Sequence, residues 1–183
     1  MRQVISELEK EHEHIENEIS VLENFVSTQN YYQRVLALFS FVHKHHEKEE
    51  SALFPWLSQQ NWLCQGGPRC GFYMGLRLEN SPLNLAEQAL RSTQDHFKDF
   101  HLTNHAQPDW LTASSPVSVP MEEHVVGDHL QQGIRYLLNM RENLKLQETE
   151  VLKTLILIYL RLLDLHLKKE KECLFVMCKQ RLS

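Results

Sequence analysis

Apolar residues at Ile5, Leu8, Ile15, Ile19 and Leu22 recur roughly every 3.5 positions, the stripe of a helix that turns one face to a core. His12 fills the gap in that stripe. A second helix is expected from about Tyr31 to Leu57, with Val35, Leu38, Val42, Ala52 and Trp56 on one face and His45 and Glu49 in the same row. A third begins near Pro120, a residue suited to a first helical turn, and runs to about Met140. A fourth runs from about Glu148 to Lys179, with Leu152, Ile156, Tyr159, Leu163, Cys173 and Met177 in line and His166 and Glu170 among them. Four such stripes must bury one another, so the expected fold is all-α, an up-down four-helix bundle of two helical hairpins. Only 6 Gly and 6 Pro in 183 residues argue the same way, against a loop-rich all-β chain, and the length suits one domain over 1–183. Residues 60–119 break the regularity with Gly66-Gly67-Pro68, Ser81-Pro82 and Ser114-Ser115-Pro116. We read them as an insertion between the second and third helices, with a short helix from about Leu85 to His101.

Polar residues in core-facing rows need a reason. The segments His45 to Phe54 and His166 to Phe175 match in kind and spacing: a histidine, a lysine three residues on, a glutamate at four, and Leu-Phe at eight and nine. Each follows a helix that carries its own histidine, His12 in the first case and His124 in the second. Residues four apart lie on one helix face about 5–6 Å apart at Cβ, so one metal ion reaches both. Imidazole with carboxylate suits iron, zinc or manganese better than calcium. Glu49 and Glu170 buried without a cation would cost several kcal/mol apiece or have to be protonated. A single His and Glu four apart is commonly an exposed helix pair. Two such pairs, each in an apolar row and each followed by Leu-Phe, point to metal.

These residues resemble the hemerythrin-like, or HHE cation-binding, domains. The likeness rests on Glu11-His12 with Ile15, on His45-His46 through Leu53-Phe54-Pro55, on Glu123-His124 with Gly127, and on His166 to Phe175. It implies that His12, His45, Glu49, His124, His166 and Glu170 ligate two iron ions, a non-haem di-iron pair bridged by the two glutamates and an oxo group. Two six-coordinate irons would not be saturated by that set, so the likeness implies reversible binding or sensing of O2 or NO at an open position. The alternatives it leaves are a di-iron enzyme that turns over NO, peroxide or O2 or repairs iron-sulfur clusters, and an iron-responsive regulatory module. The chain departs from the family in Leu174-Phe175-Val176, where a proline commonly follows Leu-Phe, and in its insertion of about 60 residues. Ferritin-like oxidases use paired Glu-x-x-His motifs. Here only Glu9-x-x-His12 has that spacing, with Glu9 off the stripe.

Several residues compete for the site. The row Val126, Leu130, Gly133, Leu137 and Met140 places His129 nearer the core than His124, whereas the motif favours His124, turned inward by an irregularity at Gly127-Asp128. His46 and Glu50 would replace His45 and Glu49 if the second helix were rotated by 100°. His14 is expected in solvent, His43 in the core or behind a ligand, and Tyr159 in the core. His96, His101 and His105 are expected at the surface, with a fifth imidazole or a separate site as the alternative. A net charge of −5 makes nucleic acid and anionic membrane poor partners. The apolar run from Leu155 to Leu165 is cut by Arg161 and Asp164 and is too short for a bilayer. Met1 leads straight into a charged helical pattern, so no signal peptide and a cytoplasmic location are expected, with Cys64, Cys70, Cys173 and Cys178 as thiols.

Overall fold

A computed structural model describes residues 1–59, 82–111, 115 and 117–182 of the chain. Among them every regular element is a helix. They are α1 (Arg2–Leu22), α2 (Gln29–Lys48), a π-helical turn (Glu49–Leu53), α3 (Phe54–Ser58), α4 (Pro82–His96), α5 (Ser118–Asn139), a 3-10 turn (Arg141–Asn143), α6 (Leu146–Lys169), a second π-helical turn (Glu170–Leu174) and α7 (Phe175–Leu182). Thr28 caps α2 by accepting from the Tyr31 amide, and Glu148 reaches back to the Lys145 amide at 2.7 Å to close the start of α6. Pro120 sits in the first turn of α5, where its missing N–H costs no hydrogen bond.

Two expectations about element boundaries need correction. The second and fourth helices are not continuous α-helices: each widens into a π-turn that starts at its glutamate. The Phe54 amide donates to the Glu49 carbonyl, and the Phe175 amide to the Glu170 carbonyl. Such single-turn bulges concentrate at functional sites because they re-aim one row of side chains. The short helix expected from Leu85 to His101 runs instead from Pro82 to His96 and packs on both α5 and α6. Gly66-Gly67-Pro68, Ser81, Ser114 and Pro116 lie outside the described residues.

α1 packs on α2, α2 on α5, α5 on α6, and α6 back on α1. The interior of this ring holds two apolar clusters. One contains Ile15, Ile19, Val35, Leu38, Phe39, Val42, Leu130, Ile134, Leu155, Ile156 and Tyr159. The other contains Ile5, Leu8, Leu53, Phe54, Leu57, Met121, Leu174, Phe175 and Met177. Along α1, His12 falls between Leu8 of the second cluster and Ile15 of the first, so a polar layer separates them. No described helix is long and apolar enough to cross a membrane. Cys178 is a buried free thiol, but Cys173 is disulfide-bonded, against the expectation of a thiol: residue spacing does not show which sulfurs a fold brings together. Cys64 and Cys70 lie outside the described residues.

Candidate metal centre

The polar layer contains His12, His45, Glu49, His124, His166 and Glu170, all buried, and one residue more, His46. Their ligand atoms form two groups, each with all its members within 4.8 Å of one another: His12, His45, Glu49 and Glu170, and His46, His124, His166 and Glu49. Glu49 belongs to both. Its Oε1 lies 3.2 Å from His45 Nε2 and 4.0 Å from His12 Nε2, while its Oε2 lies 3.4 Å from His124 Nε2. Glu170 Oε2 likewise faces both sides, 3.3 Å from His12 Nε2 and 3.5 Å from His166 Nε2. At about 100° per residue, Glu49 falls about 40° from His45 and about 60° from His46 around the helix, so it points between them. His46 therefore joins His45 and does not replace it.

Behind these residues the histidines are held from outside. His45 Nδ1 donates to Glu11 Oε2 at 2.9 Å, and Lys48 donates to the same carboxylate. His166 Nδ1 donates to Glu123 Oε2 at 3.1 Å, and Lys169 donates to Glu123. His124 Nδ1 donates to Glu50 Oε1 at 2.7 Å. An imidazole that gives its Nδ1 proton to a carboxylate presents a fixed Nε2 lone pair to the centre, with raised basicity. The phenylalanine of each Leu-Phe pair closes the layer from the other half of the chain: the Phe175 ring lies 4.9 Å from His12, and the Phe54 ring 5.3 Å from His124.

The donor set fits a pair of cations. Both ring nitrogens of His12, Nε2 of His45 and His46, and all four oxygens of Glu49 and Glu170 are buried without a hydrogen-bond partner. Their approaches of 3.2–4.0 Å lack hydrogen-bond alignment, because the lone pairs converge on common points and not on one another. Buried unpaired carboxylates are costly, and cations between them satisfy all of these atoms at once except His12 Nδ1. Without metal, protons do part of that work. Burial alone would lower the pKa values of His12 and His124, but the facing carboxylates outweigh it: Glu170 and Glu49 raise His12 to about 9, and Glu49 and Glu50 raise His124 to about 10. For Glu49, burial pushes upward, yet His45, His12 and His124 hold it well below the usual carboxylate range. His46 moves the other way, pushed well below an ordinary imidazole by burial and by the charges of His124 and His166.

The remaining candidates lie elsewhere. His129 is half-buried on the outer side of α5, its Nε2 bonded to the Thr103 carbonyl at 3.0 Å. The expected irregularity is also absent: α5 is unbroken across Gly127 and Asp128. It buries two rows, because α4 and residues 100–111 cover its second side, and His124 heads the row facing α2. His96 faces Glu148 at 3.5 Å, and His105 faces Asp128 at 3.9 Å. His14 rests on Phe41, and His43 faces Glu47 in solvent. Tyr159 packs edge-on to Phe39, and Gln131 Nε2 donates to its hydroxyl at 3.2 Å. Sequence reasoning did not assign a role to Glu11, Glu123, Lys48 or Lys169, and weighed Glu50 only as a ligand in place of Glu49. The repeated Glu-His pairs and the lysine three residues after each histidine were the available signal. No family model matches the chain, and no curated protein and no solved structure matches it.

Proposed function

We propose that this protein holds two cations, and we read them as a non-haem di-iron pair that binds or senses O2 or NO. The observation that carries the two-cation reading is Glu49, which turns one oxygen toward each histidine group. The further step to iron rests on the mixed imidazole and carboxylate donors, which suit it, and on the likeness of the motifs to hemerythrin-like domains. That likeness also takes the ring of α1, α2, α5 and α6 to be an up-down bundle of two hairpins.

Ferrous iron bound there would supply the electrons and the open coordination position that a diatomic ligand needs. The chain supplies everything else. Glu11, Glu50 and Glu123 orient three imidazoles through their Nδ1 atoms. Phe54 and Phe175, both buried, keep water from the inner wall of the layer. Each group offers four donors, fewer than a six-coordinate ion accepts. Binding is favoured over turnover because Glu11, Glu50 and Glu123 already accept from imidazoles and do not stand free as general acids. The test is an anaerobic ferrous titration followed by O2 and NO, read by optical spectroscopy. Two irons per chain with a spectrum that changes reversibly on adding either gas is the expected result. Two irons with no response to either gas would remove the diatomic reading, and steady consumption beyond one equivalent would replace it with an enzyme.

A further inference from the structure

Glu50 and Lys171 occupy the same place in the two repeated segments, each directly after the glutamate that faces the centre, and their charges are opposite. Glu50 accepts from His124 Nδ1 at 2.7 Å. Lys171 turns away to Glu16 at 3.2 Å, and Nδ1 of His12, the counterpart of His124, is buried without a partner. The segments differ again at His46 and Leu167: the first adds an imidazole to the centre where the second adds a core leucine. Three imidazoles, two of them held by carboxylates, therefore face one cation position. Two imidazoles, one of them held, face the other.

We infer that the two cation positions are unequal and fill in order, the His46, His124 and His166 position first and the His12 and His45 position second, with Glu50 as the positioning residue that separates them. This rests on the two-cation reading above. A carboxylate behind a metal-bound imidazole fixes its tautomer and orientation and raises its basicity, and its loss typically weakens metal binding by about 10–100-fold. The first position has one more imidazole and one more such carboxylate. The second ion also arrives beside an ion already bound, at the end with fewer nitrogen donors.

The experiment uses the metal-free full chain and Zn2+ as a diamagnetic probe that accepts the same nitrogen and oxygen donors. Zn2+ is added to two equivalents against a chromophoric chelator, and imidazole NMR shows which histidines respond at each step. The expected result is two steps at least about 10-fold apart, with His46, His124 and His166 shifting at the first. Glu50→Gln, at a partly exposed site that tolerates an amide, narrows the gap by weakening the first step. Glu11→Gln widens it, because that carboxylate holds His45 at the second position. Circular dichroism confirms that both variants keep their helices. Filling in a single step, an early shift of His12 and His45, or a gap that Glu50→Gln leaves unchanged or widens would each overturn the inference while two bound ions leave the two-cation reading standing. No uptake of Zn2+ by the folded chain would overturn both.

Discussion

In the first half of the chain Glu11 holds His45 and is itself held by Lys48; in the second, Glu123 holds His166 and is held by Lys169. The π-turn starts at the glutamate in both, and the phenylalanine that ends it covers a histidine of the opposite half. Beyond this shared frame the halves part at His46 against Leu167 and at Glu50 against Lys171. The shared parts are those that aim an imidazole or seal the layer. The parts that differ change how many imidazoles each end offers, so a repeated scaffold yields two donor groups of different character.

The largest effect tests what the halves have in common. Glu49 serves both groups, so Glu49→Gln is expected to remove both ions, measured as metal content per chain after reconstitution. Glu170→Gln, whose residue belongs to one group only, is expected to remove the ion beside His12 and His45 and retain the other. Equal losses from the two variants would break the comparison at its centre.

Next come the covering rings. Phe54 and Phe175 are both buried to within 1% exposure, so Phe54→Ala and Phe175→Ala should each lower unfolding stability by about 3–5 kcal/mol, measured by denaturant melts with metal bound. A large loss from one and a negligible loss from the other would show that the repeat is not structural.

The pH dependence sharpens the comparison because each half contains a raised histidine. With metal stripped, His12 and His124 have folded pKa values of about 9 and about 10 against an unfolded value near 6.5. Their contribution is fully present below pH 6.5 and is lost as pH rises through 9 and 10. The melting temperature of the metal-free protein should therefore fall over that window. Metal binding displaces those protons, so Zn2+ affinity should rise over the same window.

The smallest effect separates the outer lysines. Lys169→Met leaves the buried Glu123 without its cation and should cost about 1–3 kcal/mol. Lys48→Met, at a more exposed pair with Glu11, should cost less than about 1 kcal/mol. Thermal melts of the two variants give the ranking, and the reverse order would contradict the burial assigned to each pair.

Much of the centre was legible because it is written in the helical period. His45 with Glu49, and His166 with Glu170, are each four apart within apolar rows, and His12 interrupts a stripe that is otherwise complete. What escaped depends on neighbours far away in the chain. His124 is buried against Phe54, His46 and His166, while α4 covers a second side of α5 at Gly133, so a single apolar row mistook which histidine faced inward. His46 was set against His45 as an alternative, since one residue on a helix is a 100° turn, yet a glutamate placed between them serves both. The π-turns carry no composition signal of their own, and the links from Glu11, Glu50 and Glu123 to their histidines span 34 to 74 residues of chain.

The account depends on Glu49 sharing a pair of cations, and metal content per chain measures that most directly. Full-length protein reconstituted anaerobically with ferrous iron, freed of loose metal and analysed by mass spectrometry, should carry two ions, and Glu49→Gln should carry none. A chain that keeps its helices but takes up no iron, or a Glu49→Gln variant that retains both ions, would contradict it.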